Sequence, residues 1–322
     1  FFKKIPDQQP ILCILNTFLK KDTIPHALLF TGINGIGKRT CAEAFAMACN
    51  CINKYDIVKA RSLCTCRSCQ KILSGSHPDL IYVKPSRSLI KIVEIRKLCD
   101  TIALKSFEAI LRFVIISEAH KMNKEASNAL LKVLEEPPDR TMFILTAMHT
   151  SGLLPTVVSR CRHIRFNPIS TKNIETFMVN QHGVNHKSAK ATAQMAYGSL
   201  SRAELLKQEE WIKHRKWILN ELGTTSFKPI GRLLVFVEKI YLNKAMLLDS
   251  FEIIKTWFRD LGVYKFCPDK IINKDMMDKI EVASKNFKAD TLFEKIYAVE
   301  SVERKISSNI NIRLALEILI LA

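Results

Sequence analysis

The run Gly32-Ile33-Asn34-Gly35-Ile36-Gly37-Lys38 is the first part of this 322-residue chain that could do chemistry. Glycines at 32, 35 and 37 let the backbone curl until its N–H groups face phosphate oxygens. A helix opening directly after them adds positive potential, and Lys38 can reach a β- or γ-phosphate. ATP or ADP is the ligand such a loop would take. The next position should carry a Ser or Thr hydroxyl for Mg²⁺, but it holds Arg39, with Thr40 displaced by one. A guanidinium cannot ligate a cation. The apolar run Phe113-Val114-Ile115-Ile116 should end in an Asp that supports the metal, followed by a Glu that orients water, yet it continues Ser117-Glu118-Ala119-His120. Only Glu118 is in place. Two lost supports predict that nucleotide hydrolysis in cis is weak or absent and leave nucleotide binding open. The alternative is an ATPase in which Thr40 and Glu118 sustain a working site.

Cysteines supply the second group. Of ten, Cys51, Cys64, Cys66 and Cys69 fall within nineteen residues. Four thiolates suffice for a closed tetrahedral Zn²⁺ site with no open position, which is a structural and not a catalytic arrangement. Cys49 is an alternative fourth ligand, and free buried thiols are the alternative to a metal. His77, in Ser76-His77-Pro78-Asp79, suits a turn better than a metal. The N-terminal Phe1-Phe2-Lys3-Lys4 has no targeting pattern, so a reducing cytoplasm is expected, and there ligation outranks disulfides.

Composition bounds these readings. At 48% hydrophobic and 25% charged residues the chain fits neither a disordered polymer nor a disulfide miniprotein, and 322 residues suggest two or three domains. No apolar run approaches the roughly 18 residues of a membrane span. The formal net charge of +18 favours polyanionic partners, nucleic acid or phosphates, although solvated lysine faces alone produce such a surplus. Residues 1–166 carry 25 Lys or Arg against 13 Asp or Glu, and residues 167–322 carry 24 against 18, so most of the excess lies in the first half.

The elements that must hold these groups follow from patterning. His26 to Thr31 reads as a buried strand, followed by the glycine loop and a helix through Ala42 to Ala48, a βαβ signature. Phe113 to Ile116 and Met142 to Thr146 read as two more buried strands of a parallel sheet. Between them a helix runs from about Lys124 to Glu136, where Pro137-Pro138 must end it. Nine of the eleven prolines lie at or before Pro168, and beyond it the pattern is helical, with stripes such as Leu233, Phe236, Val237, Ile240 and Leu314 to Ile320 read as core. A break near Lys207 to Glu210 divides a small helical module from a larger one.

Taken together, His26-Ala27-Leu28-Leu29-Phe30, the glycine loop, the four cysteines, Ser76-His77-Pro78-Asp79, Asn128 to Pro138 and Ser159-Arg160-Cys161 resemble the clamp-loader subunits of the AAA+ superfamily. The resemblance continues through Tyr197 to Ala203 and Asn309 to Glu317, and so covers essentially the whole chain. It implies a RecA-like α/β P-loop domain over 1–166 with an inserted zinc module at about 49–70. An all-helical lid would follow over 167–208 and an all-helical collar over 209–322. It also implies that Arg160 is an arginine finger reaching the nucleotide of a neighbouring subunit. Arg39 and Ser117 are similar to the delta-prime type of that family and differ from its gamma and tau motors. The implied role is a stator in a hetero-oligomeric ring of motor and delta-like subunits, placing a sliding clamp on primed DNA as part of a DNA polymerase holoenzyme. An ATP-hydrolysing motor and a stand-alone nucleic-acid-binding module are the rival readings.

Overall fold

The computed structural model describes residues 7–53, 64–86, 89–224 and 229–305, together with 313, 314, 316 and 317. The chain divides into two compact units, Phe1–Phe177 with Tyr197–Arg202, and Met178–Ala196 with Ala203–Ala322. The segment expected to form a lid, 167–208, is shared between them.

The first unit is built on a five-stranded sheet of β1 (Ala27–Thr31), β2 (Leu80–Val83), β3 (Arg112–Ile116), β4 (Thr141–Ala147) and β5 (Arg162–Arg165), in the order β2-β3-β4-β1-β5. Every pairing is parallel, with Leu29 opposite Leu145 and His163, and Val114 opposite Ile81 and Phe143. A parallel sheet covered on both faces needs apolar residues at successive positions, which is why β1, β3 and β4 are buried at every residue. Those are the three strands visible in the sequence. Strand β5 reads Arg-His-Ile-Arg with only Ile164 buried, so it carries no apolar run and is legible only as an edge.

Helices α1 (Gln9–Lys21), α2 (Lys38–Cys49), α3 (Arg67–Ser74), α4 (Ile92–Ala103), α5 (Lys124–Glu135) and α6 (Pro155–Ser159) belong to this unit. Alternation along β3 sends Val114 and Ile116 into one core with Ile95 and Leu98 of α4, Leu130 and Leu134 of α5 and Val157 of α6. Phe113 faces the other way and meets Phe45 of α2 edge-on at 6.0 Å. Helix α5 begins where the Asn123 side chain accepts the Ala126 N–H, and it ends one residue short of the expected Glu136, before Pro137-Pro138.

Helix α7 (Thr171–His182) and helix α9 (Leu200–Leu206) each contribute residues to both units, and α8 (His186–Met195) lies in the second. The rest of the second unit is α10 (Glu209–Leu222), α11 (Ile230–Leu242), α12 (Leu247–Tyr264), α13 (Met277–Ser284) and α14 (Ala289–Lys305). Helix α9 ends at Leu206 and α10 begins at Glu209, and residues 203–222 lie within the second unit. Phe251, Ile254, Trp257 and Leu261 give α12 its buried stripe, and Phe236, Val237 and Ile240 of α11 are buried as their spacing predicts. Arg215, itself buried, donates to both Asp275 carboxylate oxygens at 2.7 Å and to Asn273 Oδ1 at 2.7 Å. Most of the stripe from Leu314 to Ile320 and of the motif from Asn309 to Glu317 lies outside the described residues. No helix among the described residues is long and apolar enough to cross a membrane.

Candidate functional site

The glycine loop spans the end of β1 and the start of α2, at the carboxyl edge of the sheet. Its glycines adopt left-handed backbone, with φ of 143° at Gly32, 76° at Gly35 and 93° at Gly37. Gly35 could not be another residue. A Cβ there would lie 2.3 Å from Ser199 Oγ and 2.7 Å from Ser201 Cβ, because its carbonyl accepts the Leu200 N–H at 3.0 Å. Gly37 is the N-cap of α2, so the first free N–H groups of that helix are those of Lys38 and its successors.

Lys38 is 8% exposed, and its ammonium donates to the carbonyls of Gly32 and Ile33. Burial lowers its pKa to about 8, against the opposing pull of Glu118. Glu118 has a left-handed φ of 52° and pairs with Lys121, and its backbone N–H donates to Thr146 Oγ1 at 3.1 Å. Ser117, where a carboxylate would support Mg²⁺, has a buried hydroxyl with no hydrogen-bond partner among the described residues. Arg39 turns away along its helix, where its Nε donates to Glu43 at 2.8 Å and its guanidinium lies 4.7 Å over the Tyr82 ring. Thr40 is half-buried one position on. Tertiary folding thus brings Gly32, Gly35, Gly37, Lys38 and Glu118 to one edge, and ties Arg39 to α2 and β2 instead.

Cys51, Cys64, Cys66 and Cys69 place their sulfurs within 4.8 Å of one another. Cys51 Sγ lies 3.5 Å from Cys64 Sγ and 4.0 Å from Cys66 Sγ. A tetrahedral thiolate site with metal–sulfur bonds of about 2.3 Å has sulfur–sulfur edges near ~3.8 Å, so these spacings suit a metal ion. Among the described residues this is the one such cluster, and Cys49 is not in it. Burial pushes the Cys66 pKa up, but hydrogen bonds from the backbone N–H groups of Cys69 and Ile52 and from the Cys69 and Cys64 side chains together bring it down to about 7, toward the thiolate a metal needs. Residues 54–63 of the expected module lie outside the described residues. His77 stays with its turn, where its Nδ1 accepts the Asp79 N–H at 3.2 Å.

Arg160 caps the C-terminus of α6, one third exposed. Its guanidinium meets Glu135 of α5 at 2.5 Å and donates to the Thr156 carbonyl at 2.9 Å. Cys161 beside it is buried, and burial pushes its thiol pKa up to about 12, so it packs as a small apolar side chain.

One structural pair escaped the sequence. Asp79, 2% exposed, accepts the N–H groups of Phe107, Glu108 and Ala109 and meets Arg112 Nε at 3.4 Å. Arg112 in turn donates to the carbonyls of Ile102 and Leu104. An Asp and an Arg 33 residues apart carry no local signal. The Ser-His-Pro-Asp turn was visible, but its partner was not.

A parallel sheet with a glycine loop after its first strand, followed by helical segments, defines a P-loop protein of the AAA+ class. Its overall fold is similar to a DNA polymerase III gamma subunit-related protein of Thermotoga maritima, with a TM-score of 0.51 at 16% identity over 96% of this chain and 97% of that one. The family profile described as DNA polymerase III, delta subunit, matches residues 7–170, and the corresponding C-terminal profile matches residues 209–322. The chain belongs to the DNA polymerase III delta subunit family. It is 29% identical to DNA polymerase III subunit delta' of Bacillus subtilis, over 99% of this chain and 97% of that protein. It is 33% identical to DNA polymerase III subunit gamma of Buchnera aphidicola subsp. Schizaphis graminum, but over only 55% of this chain and 48% of that protein.

Proposed function

We propose that the chain is a delta-prime-type clamp-loader subunit, a stator that assembles with gamma/tau-like motors and a delta-like subunit. In that role it completes a neighbour's ATP site with Arg160 while the sliding clamp is placed on primed DNA in the cytoplasm. The sequence likeness to a delta' subunit, which spans 97% of that protein, supports this reading over the likeness to the motors, of which a Bacillus subtilis tau subunit is matched over only 56% of its own length. The observation that carries it is a contrast within one unit. Arg160 is solvent-reachable and held in place by Glu135 and a carbonyl, while the loop's own metal supports are replaced by Arg39 and Ser117. A guanidinium presented in trans stabilises the charge developing on a transferring phosphoryl group, an effect worth about 10³ to 10⁵ in rate.

In the same reading the 167–208 segment acts as a lid and 209–322 as the collar, the latter coinciding with the C-terminal family profile. The four cysteines hold a structural Zn²⁺, which supplies cross-linking and no chemistry. Gly32, Gly35, Gly37 and Lys38 hold ATP or ADP without turning it over.

The decisive experiment is an ATPase assay of the reconstituted assembly carrying Arg160→Ala. Clamp-stimulated hydrolysis should fall while assembly, followed by gel filtration, is kept. Hydrolysis equal to that of the intact assembly would remove the finger assignment. The motor reading makes the opposite demand: the purified chain would hydrolyse ATP with Mg²⁺ and lose that activity on Lys38→Ala.

A further inference from the structure

The second unit carries a cavity of about 300 Å³ between α10 and α11, lined by Trp217, Glu221, Arg232, Val235, Phe236 and Lys239. Two of the three tryptophans, Trp211 and Trp257, are core residues at 5% and 1% exposure, whereas Trp217 is half-buried at the cavity. Its ring is braced from two sides. Phe236 packs at a centroid distance of 5.2 Å and His214 at 5.6 Å, and the His214 ring is itself fixed by Ser250 Oγ at 2.8 Å. The aromatic plate is therefore preorganised.

Arg232, Val235, Phe236 and Lys239 recur at the spacing of one helix face. Arg232 and Lys239 are both exposed, and an axial rise of about 1.5 Å per residue puts them about 10 Å apart along α11. Among the described residues neither side chain has an ion-pair partner. The two cations outnumber the single carboxylate of the lining, Glu221, so the mouth favours an anionic ligand with a flat apolar group. A nucleobase and its flanking phosphates have that combination: the base stacks on an aromatic face, and cations on either side take the backbone. An acidic peptide would satisfy the cations but leave the braced ring without a planar partner.

We propose that this cavity binds single-stranded nucleic acid, with one unpaired base stacked on Trp217 and the adjoining phosphates on Arg232 and Lys239. The site gives the second unit its own hold on a single strand, and it needs neither nucleotide in the glycine loop nor Arg160.

The test is a titration of the full chain alone, without nucleotide, using a labelled oligothymidylate, read by anisotropy and by tryptophan emission. Binding should quench the emission and weaken with salt. Trp217→Phe should abolish the quench and retain most of the affinity, and Trp217→Ala should lose about tenfold. Arg232→Ala and Lys239→Ala, both surface changes with unaltered melting expected, should each reduce the logarithmic salt slope by about 0.7. An oligomer of abasic sites with the same phosphates should bind more weakly and quench nothing. The proposal is overturned if the strand binds without quenching Trp217, if binding is absent, or if the Arg232 and Lys239 variants bind as the parent does. It is equally overturned if polyglutamate quenches Trp217 as strongly as the oligonucleotide, which would assign the cavity to an acidic protein. None of these outcomes bears on Arg160, whose role is read from hydrolysis in the assembly.

Discussion

Lys38 shows burial and its proposed role in phosphate binding pulling in opposite directions. Its ammonium is largely out of water and its pKa is lowered to about 8, yet a phosphate ligand requires the charged form. Because the neutral amine predominates above that pKa, nucleotide affinity should fall as pH rises through about 8, and a Lys38→Met variant should show no such fall. Glu118 opposes the shift, so Glu118→Gln should move the inflection to lower pH; binding titrations across pH 6 to pH 10 would check both. The same edge accounts for the proposed lack of Mg²⁺ support. Ser117 has a hydroxyl without a partner among the described residues where a carboxylate would hold Mg²⁺, and Arg39 is bound to Glu43 and Tyr82. The double variant Arg39→Thr, Ser117→Asp should make nucleotide affinity depend on Mg²⁺, with each single change insufficient. Calorimetry with and without Mg²⁺ reads the outcome, and Mg²⁺ dependence in the parent chain would contradict the account. The residue types at 39 and 117 were legible in the sequence. The side-chain directions were not, since Arg39 finds Tyr82 only through the sheet.

At the scale of elements, stability rests on a few polar fixings of an apolar framework. Asp79 ties β2 to residues 107–109 and to Arg112 of β3, and removing one partner of a buried charged pair leaves the other uncompensated. Asp79→Ala should cost about 3 kcal/mol in urea unfolding. By contrast Asn123→Ala, which removes a single helix cap, should cost about 1 kcal/mol. Those N–H donors and Arg112 outweigh burial and hold the Asp79 carboxyl below its ordinary pKa of 3.8. Its contribution is therefore present above that value and lost as pH falls through the folded-state pKa. The cysteine cluster is the second fixing. The proposed Zn²⁺ predicts one metal per chain, released by a chelator with a lower melting temperature for the loop-bearing unit. Cys69→Ser should lose that metal and Cys49→Ser should keep it. Helix α5 was legible because a cap, an apolar stripe and a double proline all act locally, whereas β5 was not, because an edge strand needs no apolar face of its own.

For the whole molecule, each of the two units has its own buried core, one around the sheet and one around α12. Calorimetry should resolve two transitions. ATP should raise only that of the unit holding the glycine loop, since a ligand stabilises the state that binds it, and Trp257→Ala should lower only the other. A single transition shifted by both would show that the units fold as one. The net charge of +18 takes on meaning at this scale, because only the fold decides which cations meet at one place. By itself the sequence determined the parallel α/β core, the glycine loop, the two absent metal supports, the cysteine set and the family likeness. All of these are written in local runs or in residue types at fixed spacing. Tertiary structure alone decided that Glu135 holds Arg160, that Asp79 holds Arg112, that Ser199 to Ser201 close on Gly35, and that Trp217 lines one cavity with Arg232 and Lys239. Each of these joins residues whose separation along the chain leaves no periodic trace, and each depends on packing that only the closed fold supplies.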